Sequence, residues 1–238
     1  MPVFTQGEVQ LSYEEHGEGF PILLLAPGGL RSARDFWTRA PFDPRRVLAD
    51  EFRLIAMDQR NAGASRGPIT AGDGWHTYLH DQLALLDHLG IERCHVLGMC
   101  IGGPFCLGLM HAAPERIRAG VLLQPIGFAD NRAEFFELFD SWAEELRPER
   151  PEVDPEDWEG FRASLFGGDF VFNLTREQVR DCNAPMLVLR GDDPYHPAVV
   201  SEEVARIAPA AELVREWKSG PALDAAIEVI RQFLHRHS

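Results

Sequence analysis

One cysteine lies in a pattern that can support nucleophilic chemistry. Residues 95–103 read HVLGMCIGG, so Cys100 is the centre of a G-x-C-x-G pattern between an apolar run and a helical pattern. This arrangement is typical of a nucleophile elbow, a strained turn that projects one side chain from the end of a strand. The residues two positions before and after Cys100 must lack a Cβ, because the turn packs them against the strand and the helix.

Three further segments resemble motifs of the α/β-hydrolase superfamily, and the similarity covers nearly all of the chain. Residues 23–29, LLLAPGG, resemble the family's strand ending in His-Gly, with Ala-Pro in place of the histidine. Residues 58–65, DQRNAGAS, resemble its D-x-R-G-x-G-x-S segment, and residues 187–194, LVLRGDDP, resemble the strand and turn that deliver an acid. The local cysteine motif is similar to that of the dienelactone hydrolases. The resemblance implies an α/β-hydrolase fold, with a mostly parallel central sheet, helices on both faces and a short helical cap.

The backbone beside Cys100 predicts an oxyanion hole, a pair of N–H groups aimed at a developing negative charge. The N–H of Ile101 would face the reacting oxygen at a helix N-terminus, which also favours a thiolate. The second N–H is expected from the loop after the first buried strand. Gly29 is the predicted donor, and Leu30 is the alternative if the loop is offset.

The resemblance implies that the acid lies on the turn at residues 191–194. Asp193 precedes a proline, as the family's acid often does, so Asp193 is the predicted acid. Asp192 stays open as the alternative, because the turn is one residue shorter than is usual in the family.

The histidine is absent from the position that the resemblance implies. The family carries it on the loop before the last helix, but residues 214–221 read VREWKSGP. His196 follows the acid turn at the C-terminal edge of the predicted sheet, and His76 opens a helix near the same edge. Because histidine is the usual acid–base group near neutral pH, we predict that His196 is the catalytic histidine and keep His76 as the alternative.

The elements that must position these residues alternate between short apolar strands and helical segments, which favours a mostly parallel sheet. Strands are predicted at residues 3–6, 9–14, 22–25, 54–57, 94–97, 121–124 and 186–189. Helices are predicted at residues 78–89, 102–113, 132–145 and 222–235.

The composition changes at residues 125–185, which are rich in Phe, Trp, Asp, Glu and Pro. We predict one domain, with a core formed by residues 1–124 and 186–238. Residues 125–185, called the cap segment below, are predicted to be a cap inserted over the strand ends.

The aromatic residues of the cap segment favour an apolar or ring-bearing ligand, although most are expected to pack against the core. These residues are Phe128, Phe135, Phe136, Phe139, Trp142, Trp158, Phe161 and Phe166. The residues predicted to line the substrate pocket are Leu30, His76, Phe128 and Phe136.

Charge and cysteine usage restrict the partners. The 238 residues include 23 Lys and Arg against 37 Asp and Glu, a formal net charge of −14. Such a surface repels phosphate backbones and anionic lipids, so neither nucleic acid nor a membrane is an expected partner. Residues 1–7 show no secretory pattern, and a cytoplasmic protein is expected. We expect a small-molecule substrate, and a homodimer stays open.

No metal and no cofactor are expected. The four cysteines, Cys94, Cys100, Cys106 and Cys182, form no CxxC pair and do not cluster with histidines at zinc-ligand spacing. The glycines at residues 98, 102 and 103 belong to the elbow rather than to a phosphate-binding loop.

These features predict a hydrolase that acts on a small, apolar or ring-bearing ester, lactone or thioester through a Cys100 thioester. A thiol starts from a pKa of about 8.5 and is a better nucleophile than a hydroxyl. One alternative is a lyase or isomerase on the same fold, in which Cys100 acts without hydrolysis. The other is a non-catalytic small-molecule receptor that has lost the histidine.

Overall fold

A computed structural model describes residues 2–238 of the chain. Its strands are β1 (Val3–Gln6), β2 (Val9–His16), β3 (Phe20–Leu25), β4 (Phe52–Met57), β5 (Cys94–Met99), β6 (Ile117–Leu123), β7 (Met186–Leu189) and β8 (Ala211–Val214). They form one sheet in the order β1-β2-β4-β3-β5-β6-β7-β8. β2 pairs antiparallel with β1 and β4, and every other pair is parallel. The predicted mostly parallel sheet is therefore confirmed.

The helices of residues 2–238 include two short elements and six longer ones. They are α1 (Pro44–Val47), α2 (Trp75–His88), α3 (Gly102–Ala112), α4 (Arg132–Leu146), α5 (Pro155–Phe166), α6 (Arg176–Arg180), α7 (Ala198–Ile207) and α8 (Gly220–His237). The cap segment contains α4, α5 and α6, between β6 and β7. The sequence patterns missed β8 and the helices α1, α5, α6 and α7. β8 is short and only half-buried, so it shows no continuous apolar run.

The central strands are buried on both faces, which explains their unbroken apolar sequence. Leu23 and Leu25 of β3 pack on the side of α2 and α3, whereas Ile22 and Leu24 pack on the side of α8. All four are fully buried. The sheet is therefore covered by helices on both faces, as the alternating pattern predicted.

Three loops meet at one edge of this sheet. In the parallel register Leu25 of β3 is level with Gly98 of β5, and Leu123 of β6 is level with Leu189 of β7. The loops that follow β3, β5 and β7 consequently leave the sheet side by side. In open α/β sheets, the carboxyl ends of the strands are where ligands bind.

None of the helices in residues 2–238 combines the length and the apolar character needed to cross a membrane.

Candidate active site

Cys100 stands on a strained turn between β5 and α3. Its φ angle of 61° lies in the left-handed region that non-glycine residues rarely adopt. The Cys100 N–H donates to the Leu123 carbonyl at 3.0 Å, and the Cys100 carbonyl accepts from Gly103 at 3.0 Å and from Ile126 at 3.2 Å. These hydrogen bonds hold the strained backbone in place, as strain at a functional site requires.

The glycines around Cys100 are there because the turn leaves no space for side chains. A Cβ on Gly98 would lie 2.1 Å from the Gly102 carbonyl oxygen, and one on Gly102 would lie 2.2 Å from the Leu25 carbonyl oxygen. A Cβ on Gly103 would lie 2.5 Å from the Cβ of Pro125. The spacing that indicated an elbow in the sequence therefore has a direct steric cause.

Asp193 and His196 share the turn that follows β7. The His196 Nδ1 lies 2.8 Å from both carboxylate oxygens of Asp193. The Asp193 Oδ1 also accepts the backbone N–H groups of Tyr195 at 3.0 Å and His196 at 3.1 Å. Burial raises the pKa of the Asp193 carboxyl, but these bonds and the charge of His196 outweigh it, so the pKa lies below its usual value. One carboxylate thus folds the turn and orients the imidazole.

The second ring nitrogen of His196, Nε2, is available to the Cys100 side of the site, since Nδ1 is occupied by Asp193. Nε2 is buried and makes no hydrogen bond within residues 2–238. The imidazole is nevertheless close enough to Cys100 for charge and hydrogen bonding to act on both groups. A loosely aligned contact of this kind is common in an active site without substrate and tightens when substrate binds.

The pKa values of Cys100 and His196 shift in opposite directions. Burial raises the pKa of the Cys100 thiol, but the neighbouring His196 and the backbone N–H groups of Gly28 and Ile101 outweigh burial and lower it. Burial lowers the pKa of His196, but Cys100 and then Asp193 outweigh burial and raise it. Both shifts favour a thiolate beside an imidazolium.

The sequence analysis predicted Ile101 and Gly29 as oxyanion-hole donors, and the backbone N–H groups that act on Cys100 in the structure are those of Ile101 and Gly28. The N–H groups of Gly28 and Ile101 both interact with the Cys100 sulfur. Gly28 has a φ of 117° and Gly29 a φ of 59°, so the loop turns sharply directly after β3. Gly29 begins a turn of 3-10 helix, and Leu30, the alternative, is also not among the backbone donors to the sulfur. The donor is one residue earlier because the chain turns at Gly28.

A pocket of about 160 Å³ opens beside Cys100. Its walls come from the two oxyanion-loop glycines, the acid turn and the cap segment. The lining residues are Gly28, Gly29, Cys100, Ile126, Phe135, Leu138, Phe166, Tyr195 and His196. The structure thus brings Cys100, His196 and side chains of α4 and α5 around one cavity.

Two residues predicted to line the pocket, Leu30 and His76, lie elsewhere. Leu30 is 2% exposed and packs in the core under α2 and α3. His76 is exposed at the first turn of α2. Their loops do approach the site, but a loop position does not determine on which side a side chain emerges. His76 is therefore not a member of the pocket, and the histidine at Cys100 is His196.

The other two predicted lining residues, Phe128 and Phe136, also lie outside the pocket. Each packs against a guanidinium: Arg132 lies 4.3 Å from the Phe128 ring centroid and Arg162 lies 5.0 Å from that of Phe136. On α4, Phe135 faces the cavity instead, and Phe136 is rotated away by the helical period of 3.6 residues. The burial pattern of α4 would have separated the two rings, since Phe135, Phe139 and Trp142 recur on one face.

Most other aromatic side chains of the cap segment pack against each other, as the sequence analysis expected. Phe139, Trp142, Trp158 and Phe161 form edge-to-face pairs with ring centroids 5.4–6.0 Å apart. All four are buried. They stabilise the wall of the pocket without lining it.

The loop after β8, where the resemblance implied a histidine, supports the acid turn. The buried Trp217 donates its Nε1–H to the Arg190 carbonyl at 2.8 Å. The Lys218 ammonium pairs with Asp192, and it lies 4.0 Å from the nearer Asp193 oxygen. Asp192, the alternative acid, thus faces Lys218, and Asp193 is the carboxylate that contacts His196.

The other three cysteines have the opposite electrostatic character. Burial raises the pKa of Cys94 to about 12 and that of Cys182 to about 11, and it raises the pKa of Cys106 well above its usual value. A raised pKa keeps a thiol protonated and unreactive near neutral pH. Cys100 therefore differs from its three counterparts through its neighbours, His196 above all.

Within residues 2–238 no cluster of three or more His, Cys, Asp or Glu side chains is arranged to hold a metal ion.

Comparison with known sequences gives relatives for about half of the chain. The putative carbamate hydrolase RutD of Azorhizobium caulinodans is 36% identical over 131 residues, which cover 55% of this chain and 46% of that protein. The putative non-heme bromoperoxidase BpoC of Mycobacterium tuberculosis is 31% identical over 138 residues, which cover 56% and 50%. The chain thus spans about half the length of these curated relatives.

Solved structures match over the whole chain. The enol-lactonase from Burkholderia xenovorans LB400 superposes with a TM-score of 0.72 at 20% identity, covering 98% of this chain and 100% of that one. The N-acyl homoserine lactone degrading enzyme Est816 superposes with a TM-score of 0.71 at 22% identity, covering 98% of this chain and 100% of that one. At such identities the likeness shows the fold. The family described as alpha/beta hydrolase fold matches residues 21–183, which include the oxyanion loop and the elbow. This chain, with its cysteine at the elbow, therefore belongs to the α/β-hydrolase fold family.

Proposed function

We propose that the protein is a hydrolase that cleaves a small ester, lactone or thioester through a covalent thioester on Cys100. The observation that carries the proposal is the chain of contacts from Asp193 through His196 to the Cys100 thiol. Two similar proteins, a putative carbamate hydrolase and an enol-lactonase, support the same reaction class.

The acylation step uses each of these groups. Cys100 Sγ attacks the carbonyl carbon of the substrate, and the carbonyl oxygen takes up the negative charge near the N–H groups of Gly28 and Ile101. The tetrahedral intermediate then collapses, and the bond from carbon to the leaving oxygen or sulfur breaks. His196 Nε2 gives its proton to the leaving group. An acyl thioester remains on Cys100.

Deacylation reverses the proton path. His196 takes a proton from a water molecule, and the resulting hydroxide attacks the thioester carbonyl. The C–S bond breaks, the carboxylic acid leaves, and Cys100 returns as the thiolate paired with the imidazolium. Asp193 holds the Nδ1–H throughout, so that Nε2 is always the nitrogen that faces the reaction.

The apolar lining of the pocket supports an apolar or ring-bearing substrate. Esters, lactones and thioesters are favoured over amides, because an amine leaves only after it is protonated. As part of the same proposal, residues 1–124 and 186–238 form the catalytic core and residues 125–185 form the cap that encloses the substrate.

The test is to trap the acyl enzyme. The wild-type protein is mixed with 4-nitrophenyl acetate, quenched in acid and mapped by peptide mass spectrometry. We expect an acetyl group on Cys100 and a burst of nitrophenol, and neither in Cys100→Ala. Cys182→Ala is the matched control and should keep both signals. Turnover that survives in Cys100→Ala, or a protein that neither acylates nor hydrolyses any ester, would contradict the proposal and favour a receptor.

A further inference from the structure

The pocket beside Cys100 has an open side and a closed side. Tyr195 lines it and remains 39% exposed, which marks the mouth. Phe135 and Phe166 line it and are 1% and 0% exposed, which marks the interior. His196 follows Tyr195 on the acid turn and lines the same pocket, with a side chain that is 12% exposed. A substrate in this pocket has one end that must be enclosed and one end that can reach solvent.

The proton path determines which part of the substrate lies at the open side of the pocket and which part lies in its interior. His196 must reach the leaving group, so the leaving group lies toward the acid turn and Tyr195. The acyl group stays bonded to the Cys100 sulfur, so it extends toward Phe135, Leu138 and Phe166. The enclosed part of the pocket is thus the part that meets the acyl group.

Apart from His196, which contacts Asp193 and acts on Cys100, the walls formed by residues 2–238 provide no charged side chain. Among the described residues that line the pocket there is no lysine, arginine, aspartate or glutamate. Arg162, which lies close by in the cap segment, is held outside the pocket by Phe136 and Asp140. A carboxylate on an acyl group that extends toward Phe135 and Phe166 would therefore be buried among apolar side chains, away from His196, which is unfavourable.

The size of the pocket limits the acyl group as well. Its volume of about 160 Å³ is close to that of a cavity of ~150 Å³ known to hold benzene. Leu138 rests directly on the oxyanion loop: a Cβ on Gly29 would lie 2.7 Å from the Leu138 Cδ2. Leu138 is partly buried and is therefore the lining side chain that packs against the loop after β3, next to Cys100.

We propose that the pocket selects the acyl half of the substrate, accepting a compact, uncharged acyl group no larger than about a benzene ring, with Leu138 setting the limit. The leaving group projects past Tyr195, so the enzyme discriminates only weakly between leaving groups. This inference rests on the proposed hydrolase function.

The experiment uses two series of 4-nitrophenyl and related esters. In the first, the acyl group varies: acetate, butyrate, benzoate, decanoate and hemiglutarate. In the second, the acyl group is butyrate and the leaving phenols have similar acidity but different bulk. We expect kcat/KM for decanoate and hemiglutarate to be roughly 100-fold below that for butyrate. Across the bulky phenols it should vary by less than about tenfold.

Two substitutions at Leu138 should move the acyl limit in opposite directions. Leu138→Ala should raise the ratio of kcat/KM for decanoate to kcat/KM for acetate by about tenfold. Leu138→Phe should lower the ratio of kcat/KM for benzoate to kcat/KM for acetate by a similar factor. The matched control is Glu137→Ala, an exposed neighbour on the same helix, which should change neither ratio. Because the two changes act in opposite senses, one poorly folded variant leaves the other to test the limit.

The outcomes separate the two proposals. If Cys100 is acylated with little discrimination between butyrate and hemiglutarate, or if both Leu138 variants leave the acyl ratios unchanged, acyl selection is wrong and the hydrolase proposal stands. If no ester acylates Cys100, the hydrolase proposal fails and the acyl selection fails with it.

Discussion

Two neighbouring segments of this protein, residues 190–197 after β7 and residues 215–219 after β8, occupy similar places at the same edge of the sheet. The first contains Asp193 and His196 and reaches Cys100. The second contains Trp217 and Lys218, which contact the first segment. The resemblance to the family implied an acid in the first and a histidine in the second. Here the first segment holds both.

The difference shows how an acid and a base can be supplied by one turn. Asp193 and His196 are three residues apart, and the same carboxylate oxygen that meets the ring also accepts two backbone N–H groups of the turn. The orientation of the imidazole is thus tied to local folding of the turn rather than to the docking of two loops. The second segment is left with a supporting task, and its side chains are a buried indole and a partly exposed ammonium.

The largest loss of activity is expected from substitution of Cys100, the residue on which His196 of the first segment acts. Cys100→Ala should lower kcat by at least about 1,000-fold, because the reacting atom is removed. The fold should be unaffected, since alanine tolerates the φ of 61° about as well as cysteine does. Steady-state kinetics and thermal unfolding measure the two effects.

Removal of His196 should have the next largest effect. His196→Asn should lower kcat by about 100- to 10,000-fold, because the leaving group and the attacking water lose their acid–base partner. The control is His76→Asn at an exposed site, which should leave kcat unchanged. Equal losses in the two variants would contradict the assignment of His196.

The pH dependence of thiol alkylation gives a second readout on the same pair. Alkylation by iodoacetamide increases as the thiolate forms, that is, as the pH rises through the thiol pKa. His196 lowers the pKa of Cys100, so removing the imidazole should move the rise to higher pH in His196→Asn. Coincident profiles for the two proteins would mean that His196 does not tune the thiol.

The two acidic residues of the first segment should behave differently. Asp193→Asn should lower kcat by about 100-fold, less than the ~10⁴-fold loss seen for a serine triad, because a thiol needs less activation. It should also lower the pKa of His196, which Asp193 helps to raise. Asp192→Asn should change kcat only a few-fold, since Asp192 pairs with Lys218 at the surface. A larger loss of kcat in Asp192→Asn than in Asp193→Asn would mean that Asp192, and not Asp193, is the catalytic acid.

The smallest effects are expected in the second segment. Lys218→Met should change kcat by less than about threefold, because its ion pair is partly exposed. Trp217→Phe should lower the free energy of unfolding by about 1 kcal/mol, because the indole hydrogen bond to the Arg190 carbonyl is lost. Chemical denaturation measures the latter. A loss of activity in Lys218→Met comparable with that in His196→Asn would mean that both segments contribute catalytic groups.

Much of the framework of this protein could be predicted from the sequence, because the determining interactions are local. Cys100 must be flanked by Gly98 and Gly102, since a Cβ at either position would lie 2.1–2.2 Å from a backbone carbonyl oxygen. The apolar runs of β3 and β5 follow from burial on both faces of a parallel sheet. The placement of His196 beside the acid turn was also accessible, because it lies three residues from Asp193.

The lining of the pocket and the backbone N–H groups that contact Cys100 depend on the tertiary structure. The choice of Gly28 over Gly29 depends on where the loop turns after β3, and the choice of Phe135 over Phe136 depends on how α4 is rotated against the core. Leu138 lines the pocket and packs against Gly29, more than a hundred residues away in the chain. A sequence determines local geometry through sterics between near neighbours, whereas the shape of a cavity depends on how distant segments pack, and that packing is set by the whole core at once.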